Sequence, residues 1–295
     1  MPDLLIAASA PEAGIAFVSA VTTDLTREIQ QRHDLWPTAT AATGRLTTGA
    51  VLFGAGLKGR ERISLQITGD GPIGSITADA WLLESGAIGA RGYARNAQVD
   101  LPVDSRGKFD VAGAVGAGSL QVTKSYEVGQ PYVGITALQS GEIAEDLAAY
   151  LAQSEQIPSV VALGVLAGPH GVIAAGGVLA QVLPDANEAA IAELEKRALA
   201  MPSVTSLVSG GADAEALLRA LAGNLELRAQ RSSAIAFTCL CTRAKVETAL
   251  LGLGGDELRS MAAERDDTEA SCEFCRKQYV FSAGELRALA QRIAG

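Results

Sequence analysis

Apolar residues change period several times along the first part of the chain. Residues 1–13 read as a loose start, and Ile15 to Val21 is almost continuously apolar, which predicts a first strand. Thr23-Asp24 then offers a helix start, with Leu25, Ile29 and His33 near helical spacing before Pro37. Residues 38–57 form a second helical stretch dominated by Ala, Gly and Thr, which predicts a close-packed, buried helix. Arg62 to Thr68 alternates Ile63, Leu65 and Ile67 with polar neighbours, the pattern of a half-buried strand. Further strands are predicted over 73–81, 89–94, 119–125 and 132–138, separated by Gly-, Asp- and Asn-rich turns. Ser140 opens a helix through Ser154 with Ile143, Leu147, Tyr150 and Leu151 on one face. Pro158 breaks it, and two apolar strands, 159–167 and 172–183, follow around Gly168-Pro169-His170-Gly171.

Strands and helices therefore interleave irregularly, which predicts an α+β fold rather than a repeating βαβ plan. After Pro184 the pattern narrows. Asp185 and Glu188 form a capping box for a helix through Ala200, and shorter helical patterns cover 212–222 and 225–231. No strand is convincing in this stretch, and each helix has one narrow apolar face that must pack on something larger. Three parts are expected: a mixed α/β core domain over 1–183, a helical linker over 184–231, and a small C-terminal domain over 232–295. The last part reads as helices at 243–251 and 257–264, a hairpin over 270–281, and a final helix opened by Ser282 and Glu285.

Composition changes the picture at one place. All four cysteines fall in a single window, as Cys239-Leu240-Cys241 and Cys272-Glu273-Phe274-Cys275. Two close pairs separated by a spacer have the spacing of a four-thiolate zinc site, each pair giving two tetrahedral ligands from one tight turn. Histidine cannot complete a mixed site, because the two histidines, His33 and His170, lie far upstream. A site closed by four thiolates suits a structural or redox role; hydrolysis needs an open position for water. A segment the size of 232–295 gains about 3 to 5 kcal/mol from its own core. A structural zinc contributes on the order of 10 to 16 kcal/mol. Loss of metal should therefore unfold the segment.

The remaining chemistry is sparse. The net charge of −9 argues against a general nucleic-acid binder. No apolar run is long enough to span a bilayer, and the apolar stretch 4–21 lacks a basic leader, so no signal peptide is read. A cytosolic protein is expected, where clustered cysteines serve as metal ligands or redox sensors rather than static disulfides. No phosphate-binding loop of the G-x-x-x-x-G-K-[ST] type occurs. Gly116-Ala117-Gly118 is better read as a turn than as part of a dinucleotide loop, and His33 as structural rather than catalytic. No catalytic residues and no organic cofactor are assigned. Arg243, Lys245, Arg276 and Lys277 flank the cysteine pairs and could offset thiolate charge, or simply be surface charge.

The cysteine-bearing stretches, Phe237-Thr238-Cys239-Leu240-Cys241, Leu253-Gly254-Gly255-Asp256-Glu257-Leu258, Cys272-Glu273-Phe274-Cys275 and Tyr279-Val280-Phe281, closely resemble the redox-regulated heat-shock chaperone family known as the thirty-three-kilodalton chaperonins. The stretches 62–74, 92–102 and 140–158, and Ala175-Gly176-Gly177, resemble that family's core domain. The resemblance implies a non-enzymatic, ATP-independent holdase. It implies one zinc on Cys239, Cys241, Cys272 and Cys275 when reduced, and disulfides joining Cys239 with Cys241 and Cys272 with Cys275 when oxidised. Zinc release would then unfold the small domain, loosen the linker, and expose apolar surface for unfolding clients; the oxidised form would tend to dimerise. Thr242-Arg243-Ala244-Lys245 departs from the family's usual run after the second cysteine.

Two other readings compete. A zinc-ribbon interaction module with a permanent structural zinc would bind a protein or nucleic acid. Residues 238–295 hold eight Lys and Arg against nine Asp and Glu, which disfavours the nucleic-acid form. A thiol-disulfide oxidoreductase built on Cys272 and Cys275 would need a thioredoxin-like setting that the expected hairpin does not supply.

Overall fold

The structure is a computed structural model that describes residues 2–103 and 107–294. It divides into two compact units, residues 1–238 and 239–295. The first unit runs β1 (Leu4–Ala10), β2 (Ile15–Val21), α1 (Thr23–His33), α2 (Pro37–Phe53), β3 (Arg62–Gly69), β4 (Ser75–Leu82), β5 (Ile88–Ala94) and α3 (Val111–Val115). It continues through β6 (Gly118–Ser125), β7 (Tyr132–Ala137), α4 (Ala144–Ser154), β8 (Ser159–Gly168), β9 (Gly171–Val182), α5 (Glu188–Ala200), α6 (Val204–Ser209), α7 (Ala214–Ala222) and β10 (Arg228–Phe237). The second contains α8 (Arg243–Leu251), α9 (Gly255–Glu264), β11 (Asp267–Ser271), β12 (Gln278–Ser282) and α10 (Ala283–Ala294). The fold is α+β, as the irregular interleaving predicts.

The ten strands of the first unit form one sheet in the order β7-β6-β3-β4-β5-β10-β1-β2-β9-β8. α2 packs against β4 and β5 and also against β8 and β9, so the sheet curls around this helix. The sequence of α2 explains how a helix can be enclosed on all sides. Its Ala, Gly and Thr side chains are short, and Gly44 and Gly49 meet Thr26, Val165 and Leu147 where any Cβ would collide. Several of its hydroxyls find partners, as in Thr47 donating to the Thr43 carbonyl and the Thr22–Thr48 pair at 2.7 Å, while the Thr43 hydroxyl is buried without one among the described residues. α4 touches both β7 and β8, closing the seam between the two sheet edges. Tyr150 and Leu147 of α4 are fully buried there.

Two local readings of the sequence are corrected. The supposed loose start is β1, which pairs antiparallel with β2 and β10 near the middle of the sheet. The stretch 225–231, read as helical, instead leads into β10, antiparallel to β1 and parallel to β5. Both segments are rich in Ala and Ser, which carry little strand preference of their own. Pairing on both flanks makes them strands, and tertiary context overrides local propensity. Their partners lie up to 230 residues away, as Leu4 opposite Ala234 shows.

Helix starts also differ in detail. The first turn of α1 is capped from outside: the Asp3 carboxylate accepts the N–H groups of Asp24 and Leu25 at 3.0 and 2.7 Å. The helix predicted from Ser140 begins at Ala144, and Asp146 rather than Ser140 gathers its entry. Its carboxylate accepts the N–H groups of Gln139, Ser140, Gly141 and Ile143. Asn187, not Asp185, caps α5. The helices α5, α6 and α7 lay their apolar faces on one side of the sheet: Leu194, Leu218 and Leu221 with Ile15 and Phe17, and Val204 and Leu217 with Val21. That is the packing partner their narrow stripes require. No helix of the described residues is long and apolar enough to cross a membrane.

Candidate metal centre

The second unit is built around the hairpin β11–β12 and three helices. Leu250, Leu258, Tyr279, Phe281, Leu286 and Leu289 form its small core. The hairpin has continuous register from Asp267–Ser282 to Ser271–Gln278. Its six-residue loop carries the second cysteine pair. The N–H of Arg276 bonds to the Cys272 carbonyl and the N–H of Cys272 to the Lys277 carbonyl, closing the loop tightly. Arg276 takes φ +59° to do so, a left-handed conformation unusual for a side-chain-bearing residue. The first pair follows β10 directly. The hydroxyl of Thr242 accepts the N–H of Lys245 and starts α8 immediately after Cys241.

The fold brings the two pairs together. Cys239 Sγ lies 3.7 Å from Cys272 Sγ, and Cys241 Sγ lies 3.4 Å from Cys275 Sγ. All four sulfurs lie within 4.8 Å of one another. All four cysteines are unbridged. A tetrahedral metal with bonds near 2.3 Å to sulfur sets neighbouring sulfurs about 3.8 Å apart. The cluster therefore has the size and donor chemistry to hold one soft or borderline cation through four thiolates. It is the one such group of metal-ligating side chains among the described residues.

The electrostatics agree. Burial pushes the Cys275 thiol up to about 12, and burial also raises Cys272 against the pull of the Cys275 and Phe274 backbone N–H groups. Four thiols gathered in a partly buried space do not ionise together unaided; a cation supplies the compensating charge. The Tyr279 hydroxyl donates to Cys241 Sγ at 3.2 Å. Nothing in the residue pattern signals this contact, since Tyr279 stands on a strand four positions beyond Cys275 with no periodic mark.

The basic residues flanking the pairs have protein partners of their own. Arg243 pairs with Glu285 at 2.6 Å, donates to the Val280 carbonyl, and stacks on Phe281 at 4.2 Å. Lys245 donates to the Leu240 carbonyl at 2.7 Å, and Arg276 faces Glu273 at 3.7 Å. Lys277 lies over the Tyr279 ring at 5.3 Å. They tie the small unit together, which favours the structural reading of these charges. Ser282 and Glu285 form the expected reciprocal cap of α10, and the backbone N–H of Ser282 is the main cause that lowers the Glu285 carboxyl.

The weaker sequence candidates fall away. Gly116-Ala117-Gly118 is a turn pinned by the Asp70 carboxylate on the Ala117 N–H, and His33 is buried with its ring stacked on Tyr93.

A ten-stranded sheet wrapped on a helix, joined to a small module with a closed four-thiolate centre, defines a binding and switching protein rather than a hydrolase. Comparison with known proteins is specific on the point. The family model described as Hsp33 protein matches residues 3–282. The 33 kDa chaperonin of Desulforamulus reducens is 40% identical over 295 residues, with 99% of each chain covered. That of Listeria monocytogenes is 41% identical over 294 residues, with 98% of each covered. The crystal structure of the 33 kDa chaperonin from Thermotoga maritima superposes with a TM-score of 0.90 at 34% identity, covering 100% of this chain and 99% of that one. The chain belongs to the Hsp33 family, a family of chaperones and not of enzymes.

Proposed function

We propose that this chain is a redox-regulated, ATP-independent holdase whose switch is the cysteine cluster. Cys239, Cys241, Cys272 and Cys275 hold one zinc ion in the reduced protein. When bound, the zinc supplies a fixed crosslink between the first pair and the hairpin and stabilises four thiolates side by side. The observation that carries this reading is the gathering of all four sulfurs within 4.8 Å. The chain's residues supply the rest. Tyr279 steadies Cys241, Arg243 fastens α8 to β12 and α10, and the small core around Phe281 depends on the two halves staying joined.

Oxidation by a peroxide converts two thiols and one peroxide into one disulfide and two waters, and two such events consume all four sulfurs. Following the family resemblance, Cys239 joins Cys241 and Cys272 joins Cys275. A disulfide sulfur is no longer a thiolate ligand, so the ligand set is lost and the small core cannot hold the unit alone. Functionally the chain divides into a core over 1–183, a linker over 184–231 and a switch domain over 232–295. Unfolding of the switch loosens the linker helices, whose apolar faces then become available to unfolding proteins. A cytosolic setting fits thiols that must rest reduced.

The test measures zinc content and free thiols of the full-length protein before and after peroxide, with aggregation of a heat-unfolded client followed in parallel. One zinc and four protected thiols, then zinc release, two disulfides and suppressed aggregation without nucleotide, is the expected result. Zinc that stays bound under oxidation, with client protection unchanged, makes the site a permanent staple and sinks the redox reading.

A further inference from the structure

α2 does not fill the whole of the sheet that curls around it. The helix stops at Phe53, Ala55 and Gly56 follow, and a Cβ added to Gly56 would meet nothing. At this end lies a cavity of about 310 Å³. Alternate residues of a strand share a face, so the inward rows can be followed to it. Leu5 is succeeded by Ala7 on β1, and Val122 by Lys124 on β6. Val18 is preceded by Ala16 on β2, and Leu179 is succeeded by Gln181 on β9. The first residue of each pair is buried core, and the second lines the cavity. The inward positions thus turn from aliphatic to small or polar at one end of the sheet.

The cavity has apolar walls in Leu52, Leu151 and Leu179, all buried. Its polar groups are unevenly engaged. Glu155, whose side chain is 17% exposed, accepts from Lys124 Nζ at 2.5 Å and from the Tyr150 hydroxyl at 2.9 Å. Lys124, 29% exposed, carries three donors and gives one of them to Glu155. Gln181 adds an amide with two donors. Two donors already serve the carboxylate, whereas the ammonium and the amide keep donors to spare. The head group that complements this mouth is therefore an anion. At roughly 30 Å³ for each water-sized group, the cavity takes about ten heavy atoms.

We propose that this cavity binds a medium-chain carboxylate, with its alkyl chain among Leu52, Leu151 and Leu179 and its head group on Lys124 and Gln181. An apolar chamber of this size with a few convergent polar groups is the common form of a small-molecule site. The ligand touches β1, β2, β6, β9 and α4 at once, so its binding stabilises the core by mass action. The site uses no cysteine and no residue of the linker, so it stands or falls independently of the redox switch.

Isothermal titration of the reduced, zinc-loaded full-length protein with sodium decanoate tests it. Wild type should bind a single decanoate per chain, saturably and below about 1 mM, and decanoate should raise its thermal unfolding temperature. Ala16→Leu places a larger side chain in the chamber and should weaken binding at least about tenfold. Lys124→Met keeps the length of the side chain without its charge, and should weaken decanoate about tenfold while leaving decanol unchanged. Cooperative thermal unfolding of each variant checks that the fold is intact; if the leucine variant does not fold, Lys124→Met decides alone. Absence of saturable binding to wild type overturns the proposal. So does decyltrimethylammonium binding as tightly as decanoate, which would show attraction to apolar surface without regard to charge. Undiminished decanoate binding by Lys124→Met, or by a folded Ala16→Leu, places the ligand elsewhere and overturns it too.

Discussion

The hydroxyl of Tyr279 donates a hydrogen bond to the sulfur of Cys241 across 3.2 Å. A donor on a thiolate draws off electron density and lowers its reactivity toward electrophiles. It also fixes the Cys241 side chain, so that β12 reports directly on the first cysteine pair. Tyr279→Phe keeps the ring in the small core and removes only this bond. The variant should fold and bind one zinc, and release it under peroxide about threefold to tenfold faster, read with a chromogenic chelator. An unchanged release rate would show that the bond has no part in setting thiol sensitivity.

Metal removal should unfold the second unit and spare the sheet of the first. The second unit has a core of few side chains, Phe281 and Leu286 at its centre, and a metal on its four gathered sulfurs would crosslink it. Chelation of the reduced protein, or Cys275→Ser, should abolish amide protection across 239–295 while the β-strands of residues 1–238 keep theirs, measured by hydrogen exchange. Protection lost evenly through both units would mean that the small unit is not separately held.

The linker helices should set the threshold of activity. Leu217 is fully buried, packed with Val21 and Val204 beneath α7. Leu217→Ala should cost about 2 to 4 kcal/mol of local packing and loosen α7 from β2. The reduced, zinc-bound variant should then suppress client aggregation that reduced wild type does not. A variant that is less stable yet equally silent would place the client surface elsewhere.

Asp3 gives the core a pH dependence of defined sign. Burial raises its carboxyl to about 6, although two backbone N–H groups of α1 favour the ionised form. The folded state therefore holds the proton more tightly than the unfolded chain. This contribution is fully present below about pH 4 and is lost as the pH rises through 6, worth roughly 3 kcal/mol. In denaturant titrations of the first unit, Asp3→Asn should remove this part of the slope between pH 4 and 7. Equal slopes in the two proteins would show that Asp3 ionises freely in place.

The gathering of the four cysteines was legible in the sequence, because metal ligation demands particular residues at particular spacings, and the two cysteine pairs meet that demand within one window. α2 was legible for a similar reason: only short side chains suit a helix enclosed by a sheet, and residues 37–53 are mostly short. β1 and β10 were not legible. Their identity as strands lies in partners far along the chain, and their Ala- and Ser-rich sequences carry no local strand signal. Asp3 and Asp146 escaped notice as caps because each serves backbone outside its expected position, Asp3 from a segment more than twenty residues away. Tyr279 escaped because a lone aromatic residue on a strand looks like core, and it is core; its hydroxyl alone is special.

The pairing of β1 with β10 has a consequence for how the protein is made. β1 leaves the ribosome well before its second neighbour, which ends at Phe237. At about 5 to 20 residues per second, roughly 10 to 40 seconds of synthesis separate the two. Throughout that interval β1 and β5 both stand as open margins, and the sheet cannot close. β10 is the last piece of the wall, and the cysteine module emerges directly behind it. Translation thus delivers the guard only after the chamber is complete, and a ribosome stalled before residue 228 would hold a chain with two unsatisfied strands and no switch.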